Sequence, residues 1–283
     1  MQKKYIYIYI LFLVVFFNSC AKPSLKYNRD QQQESVNSYH QEDKAATFGP
    51  NPIQQFPVVL VFGPAKARGF AYAGVIKGFT EEKIPIGAII GADFGALIGA
   101  IYTHSETVHE FEWKVLKIDK DFFFENIFDF SFLTGSWLRD QRLNLKLEEI
   151  FQNKKIEEGI TPISIGVWGE KEEQMIFHRE GEITRLIKKS MTRQKDLSED
   201  KLQQQLINEA RALNIGPVVY IDLYSRGDVS ELADVVLTPN LVEVSAQDVD
   251  LKSLSIYNGK LSVLNQVQEI KTLVGIKGEE EER

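Results

Sequence analysis

The sequence predicts an α/β fold, a mostly parallel central sheet flanked by helices, and three observations carry that prediction. Val58-Val59-Leu60-Val61-Phe62 is an unbroken apolar run of strand length, the pattern of a strand covered on both faces. Ala71 to Glu82 then places apolar residues, including Val75, Ile76 and Phe79, at helical spacing. Short apolar runs and amphipathic stretches keep alternating beyond it, as parallel strands joined by helical crossovers do.

Taken in order, Ala88-Ile89-Ile90 is a second short buried strand, and Phe94 to Tyr102 is a small-residue helix suited to close packing. Further strands are predicted at Ile163 to Trp168, Gln174 to His178, Val218 to Asp222 and Val235 to Leu237. Helices are predicted over Val108 to Lys117, Leu143 to Phe151, Ile183 to Lys189, Asp200 to Leu213 and Ser262 to Leu273. Seven aromatic residues crowd the window from Phe122 to Trp137: Phe122, Phe123, Phe124, Phe128, Phe130, Phe132 and Trp137. That stretch reads either as a loop pinned into the core or as an apolar lip over a lipid or partner site.

The chain has 283 residues, 43% of them hydrophobic, enough for one large domain, placed here at residues 56–276. Its formal net charge of -7 is the reverse of the basic excess that nucleic-acid binding needs. Residues 277–283 close the chain as a solvated acidic tail.

Residues 1–19 read as a signal peptide. Met1-Gln2-Lys3-Lys4 is a basic start, Tyr5 to Phe17 is an apolar run, and Asn18-Ser19 precedes the lone Cys20. The ending Phe17-Asn18-Ser19-Cys20 resembles a bacterial lipobox, with phenylalanine where leucine is commoner; the resemblance implies lipidation at Cys20 and a membrane as partner. Residues 20–55 are rich in Gln, Asn, Ser, Lys and Asp, and read as a flexible tether with a reach on the order of 30 Å. If the sorting rule of enteric bacterial lipoproteins applies, Ala21 after the cysteine points to the outer membrane of a bacterial envelope, facing the periplasm or the cell surface.

Two segments carry the chemistry. The first is Gly63-Pro64-Ala65-Lys66-Ala67-Arg68-Gly69-Phe70-Ala71 after the first strand. The second is Ile84-Pro85-Ile86 leading through a strand to Gly91-Ala92-Asp93-Phe94-Gly95, then Ala96-Leu97-Ile98-Gly99-Ala100. Strand, glycine-flanked turn and helix is the geometry of a nucleophile elbow. Order and spacing across about forty residues resemble the patatin-like phospholipase family. Weaker likeness continues through Thr161 to Ser190, Val218 to Asp222 and Leu232 to Asn240.

The resemblance implies a patatin-like three-layer fold and a lipid acyl hydrolase with a Ser–Asp dyad and a glycine-rich oxyanion hole. This chain departs from that pattern three times. Asp93 stands at the serine position, between the elbow glycines Gly91 and Gly95. Pro64-Ala65-Lys66 replace the consecutive glycines of the oxyanion loop, and proline has no N–H to donate. No Asp-Gly pair lies between Ser190 and Val218. Arg68 follows the family pattern and is read as an anion or backbone clamp, and Lys66 is expected to pair with Asp93.

Other signals are weaker. His104 and His109, near Glu106, Glu110 and Glu112, read as a solvated polar helix start, and no metal or cofactor is expected. Gly63 to Gly69 lacks the Gly-Lys-Ser/Thr ending of a phosphate loop. The favoured reading is a non-catalytic patatin-like lipoprotein of the envelope that binds a lipid or acyl chain, or an envelope protein. Two alternatives stand beside it: an acyl hydrolase of altered mechanism using Asp93, and a pure protein-interaction module.

Overall fold

The first strand, β1 (Val58–Phe62), is buried along its whole length, as its apolar run requires. The computed structural model describes residues 56–120, 141, 143–169, 174–191, 199–225 and 232–276. The leader, Cys20, residues 20–55, the aromatic stretch Phe122 to Trp137 and the acidic tail lie outside the described residues.

β1 is joined by β2 (Ile86–Ala92), β3 (Ile163–Gly169), β4 (Gln174–His178), β5 (Val218–Ile221) and β6 (Val235–Leu237). They form one sheet in the order β4-β3-β2-β1-β5-β6. Every pairing is parallel except that of β3 with β4. The helices are α1 (Phe70–Glu81), α2 (Phe94–Thr103), α3 (Val108–Leu116), α4 (143–151), α5 (Ile183–Met191), α6 (Glu199–Leu213), α7 (Lys252–Asn265) and α8 (Val267–Leu273). The α/β class with a mostly parallel sheet and flanking helices therefore stands.

Alternation along β1 builds the layers. Val58, Leu60 and Phe62 enter a core shared with α1, α2, α5 and α7. Val59 and Val61 enter a second core with Leu202, Leu206, Ile207 and Ala210 of α6. Successive strand residues point to opposite faces, so one five-residue strand serves both layers. The largely polar α6 thus contributes a single apolar stripe and covers its face of the sheet.

Two departures from the predicted elements have physical causes. β2 begins at Ile86 rather than Ala88, because Ile86 pairs with Val58 at the edge of the ladder. The single helix expected from Ser262 is in fact α7 followed by α8, and α7 begins ten residues earlier. Lys252 to Gly259 mixes Ser, Asn and Gly with apolar residues, so no clear stripe announces the helix. Its place is set by α1: a Cβ on Gly74 would lie 1.8 Å from the Ile256 carbonyl oxygen, and one on Gly259 2.0 Å from that of Ala71. The two helices cross with their backbones nearly touching, and only glycine permits that approach.

Because β2 and β5 lie on opposite sides of β1, the chain reverses its winding there. In open α/β sheets the crevice beyond the strand ends at such a point is where ligands bind.

Candidate functional site

β2 ends at Ala92, and Asp93 turns the chain into α2 with φ 54° and ψ -127°. This is a left-handed conformation that a side-chain-bearing residue adopts at a cost of about 1–3 kcal/mol. Its neighbours impose it. A Cβ on Gly95 would lie 2.6 Å from the Phe62 carbonyl oxygen, and one on Gly91 2.7 Å from the Ala96 Cα. The first turn of α2 is pressed against the ends of β1 and β2, so the chain must reverse within one residue. The elbow predicted at Gly91-Ala92-Asp93-Phe94-Gly95 is present, with Asp93 half-buried at its apex.

A hydroxyl holds this turn. The Asp93 N–H donates to Ser190 Oγ at 2.8 Å, and Ser190 Oγ–H donates to the Gly166 carbonyl at 2.6 Å. The end of α5 is thereby tied to both the elbow and β3. With its proton given to a carbonyl and its oxygen accepting an amide, Ser190 is arranged as a clamp and not as a nucleophile.

The loop after β1 is equally committed. Pro64 brings no N–H, and the Ala67 N–H is given to the Ala246 carbonyl at 3.0 Å. Ala65 has φ -147° and is buried, whereas Lys66 is exposed with φ 49° at the start of a 3-10 turn, Lys66–Gly69. Arg68 donates from Nε to the Val244 carbonyl at 2.8 Å and from Nη1 to the Leu223 carbonyl at 3.4 Å. Its guanidinium also lies 5.1 Å from the centre of the Tyr224 ring. These contacts tie the loop to the segments after β5 and β6.

Tyr72, which the sequence did not single out, sits beneath the loop. Its hydroxyl donates to the Gly63 carbonyl at 3.0 Å, and its ring stacks on Phe62 at 4.5 Å. Burial pushes the Tyr72 hydroxyl well above its usual range, and Tyr220, Tyr224 and Asp93 add to the effect. Tyr220 is raised in the same way, first by burial and then by Asp222, Tyr224 and Asp200. Tyrosine hydroxyls and carboxylates therefore lie near one another at this end of the sheet, and Tyr72 and Tyr220 stay protonated. Asp222 is buried, and its Oδ1 accepts the Tyr224 N–H at 3.0 Å, which closes the turn after β5.

The histidines lie elsewhere. His109 is exposed, as a solvated helix start requires, but His104 is not. It is buried at the end of α2, where Nε2 meets the Lys155 carbonyl at 2.9 Å and Nδ1 lies 2.9 Å from Thr103 Oγ1. The expectation of a solvated His104 is corrected: packing of α2 on the 155–159 segment buries it, and that segment is distant in sequence. Among the described residues no three His, Cys, Asp or Glu side chains gather to hold a metal, and no helix is long and apolar enough to cross a membrane.

A strained elbow after the second strand, beside a loop that follows the first and ends in Ala67-Arg68-Gly69, is a frame that comparison with known proteins places. Residues 60–237, well over half of the chain, match the family described as patatin-like phospholipase. The chain belongs to the patatin-like phospholipase family. Patatin-like phospholipase domain-containing protein 6 of Homo sapiens is 26% identical over 137 residues, 48% of this chain and 10% of that protein. Lysophospholipase NTE1 of Coccidioides immitis is 28% identical over 137 residues, 48% of this chain and 9% of that protein. This patatin-like chain thus spans about a tenth of the length of those relatives. Among solved structures, VipD from Legionella pneumophila is similar with a TM-score of 0.46 at 9% identity, covering 76% of this chain and 67% of that one. A chain of the ExoU-SpcU complex of Pseudomonas aeruginosa has a TM-score of 0.47 at 12% identity, covering 77% and 52%.

Within the patatin-like frame, the structure brings the elbow and the loop together at the ends of adjacent strands. Phe62, which leads into the loop, pairs in register with Gly91 of the elbow. The interval from Ser190 to Val218, where the family's Asp-Gly motif was sought, is occupied over its described part mainly by α6. Two members of the site were not assigned their roles from sequence. Tyr72 reads there as one more apolar position of α1, and Ser190 gives no local sign that it reaches the elbow.

Proposed function

We propose that this protein is a non-catalytic patatin-like protein of a bacterial cell envelope, held by a lipid on Cys20, whose crevice binds a lipid or acyl chain without turning it over. The family's usual work is lipid acyl hydrolysis, which supports a lipid-directed role. The observation that carries the loss of catalysis is Asp93 at the apex of an otherwise intact elbow. A carboxylate attacking an ester would give an anhydride, and its charge would oppose the oxyanion forming beside it. The loop adds to this, since Pro64 offers no donor and the Ala67 N–H is already used. Each missing oxyanion donor costs about 10²–10³ in rate. Lys66, at the same strand-end edge, is proposed to offset the charge of Asp93.

The test is a phospholipase and esterase screen of the mature chain beside Asp93→Ser, with extraction of lipid that co-purifies. Expected are background hydrolysis in both proteins and a bound native lipid. Robust hydrolysis by the unaltered chain would overturn the non-catalytic reading, and a lipid-free protein would overturn binding.

A second reading has one observation in its favour. The strain at Asp93 is retained, and a strained apex is where chemistry is placed in active elbows. In that reading Asp93 is the base or nucleophile of an altered hydrolase, and Asp93→Asn would abolish an activity detected in the same screen. An envelope protein as partner is the third reading, tested by pull-down from membranes with and without Phe122 to Trp137.

A further inference from the structure

We infer that the flank of α5 along the edge strand β4 binds a phosphoryl anion, held by His178, Arg185 and Lys189. The inference deepens the lipid-directed reading by naming the headgroup chemistry, and it does not depend on whether the crevice is catalytic.

The topology brings these three side chains to one face. His178 ends β4 and pairs with Ile165 of β3, and cross-strand partners point to the same face of a sheet. Ile165 enters the core shared with Ile183, Leu186 and Ile187 of α5, so α5 lies over β3 and His178 stands at its flank. Arg185 and Lys189 are exposed and one helical turn apart, which sets them on one stripe of α5. Both reach the imidazole: after burial, Lys189 and then Arg185 hold its pKa below the ordinary value. Arg179 faces the other way, bonded to Ser164 and Glu209.

No carboxylate answers this cluster. Among the described residues, Arg185 and Lys189 have no ion pair or hydrogen bond, and neither ring nitrogen of His178 has a hydrogen-bond partner. By contrast Lys77, Lys114, Lys260, Lys271, Arg179 and Arg211 each hold a carboxylate. α5 carries Arg185, Lys188 and Lys189 and no acid. Glu180 and Glu182 precede it, exposed at the end away from Lys189, and neither pairs with Arg185. Acidic residues before Gln174 are separated from His178 by the length of β4. The helix dipole favours Lys189 in the last turn, but it does not account for Arg185 a turn earlier or for both crowding an imidazole. Like charges four residues apart on a helix destabilise it until an anion lies between them.

The donors fit a phosphate. Arginine offers a planar fork of N–H groups, lysine a compact charge, and an imidazolium a further N–H. Two neighbours favour a lipid headgroup as its source over the free anion. Ile176, two residues before His178 and so on the same face of β4, is 39% exposed. Lys189 adjoins Ser190, whose Oγ accepts the Asp93 N–H at 2.8 Å, so the cations stand next to the elbow. A charged group held beside an apolar side chain and the mouth of a crevice is what a phospholipid presents.

The test titrates His178 in the full chain by proton NMR, with His178→Gln identifying its signal among the four histidines. Inorganic phosphate and short-chain phosphatidylglycerol, below its micelle concentration, are added in turn at constant ionic strength. Either anion should raise the His178 pKa, and Lys189→Ala and Arg185→Ala should each weaken that binding about tenfold, the loss of one charge-assisted hydrogen bond. Without an anion the same variants should raise the His178 pKa by removing a like charge, a response that only a folded chain gives. Lys83→Ala, in the turn that leads into β2 at the strand ends away from the elbow, should change neither. Tighter binding of the lipid than of phosphate supports a headgroup site, and equal binding supports a site for the free anion. No shift with either anion, or a shift that sodium chloride reproduces, overturns the inference. Co-purified lipid in a chain whose His178 ignores both anions sinks this site alone, whereas an anion response in a lipid-free chain sinks only the crevice reading.

Discussion

Ser190 holds Asp93 by its backbone: the Asp93 N–H donates to Ser190 Oγ at 2.8 Å, and the same hydroxyl donates to the Gly166 carbonyl at 2.6 Å. Replacing Ser190 with alanine strands an amide and a carbonyl at a partly buried position, which costs about 1–3 kcal/mol. Denaturant unfolding of Ser190→Ala should show that loss, and the Asp93 amide should exchange its hydrogen faster. A fluorophosphonate probe should not label Ser190 in the unaltered protein. Labelling there would make the hydroxyl a nucleophile after all.

The strain at Asp93 predicts a stabilising substitution. Glycine takes φ 54° without the steric penalty an aspartate meets, so Asp93→Gly should raise unfolding stability by about 1 kcal/mol. Equilibrium denaturation checks it. A loss of similar size would mean that the Asp93 carboxylate itself secures the turn.

Two glycines should respond very unequally to alanine. At Gly259 the new methyl would lie 2.0 Å from the Ala71 carbonyl oxygen, so α1 and α7 must separate. Overpacking of that kind costs about 1–3 kcal/mol or more. At Gly63 the nearest atoms are 3.9 Å away, an ordinary contact. Thermal unfolding should therefore fall clearly for Gly259→Ala and little for Gly63→Ala.

His178 supplies a pH dependence. Burial, then Lys189 and Arg185, hold its imidazole below the ordinary value of 6.5. The unfolded chain takes up that proton first as pH falls, so the native state loses stability on acidification from 6.5 downwards and regains it above. In His178→Gln the slope of stability against pH should be shallower in that window. An unchanged slope would assign the acid sensitivity to other groups.

Much of this molecule is legible without coordinates, because its signals are local. The apolar run of β1, the glycine-flanked turn at Asp93 and the proline at position 64 each state their consequence within a few residues. Buried strands need continuous apolar residues, tight reversals need glycine neighbours, and proline lacks an N–H in any context. α7 was less legible, since Lys252 to Gly259 has no apolar stripe and its helix is set by the backbone of α1 across Gly74 and Gly259.

The sequence by itself determined the α/β class, the family frame and the identity of the residue at the elbow apex. Only the tertiary structure decided what holds that apex and what the loop donors do. The Ser190 hydroxyl, the Ala246 carbonyl that takes the Ala67 N–H, and the Val244 and Leu223 carbonyls that take Arg68 come from segments some 100 to 180 residues away. Hydrogen bonds depend on distance and angle in space, and a residue's neighbours in sequence say nothing about partners that far along the chain.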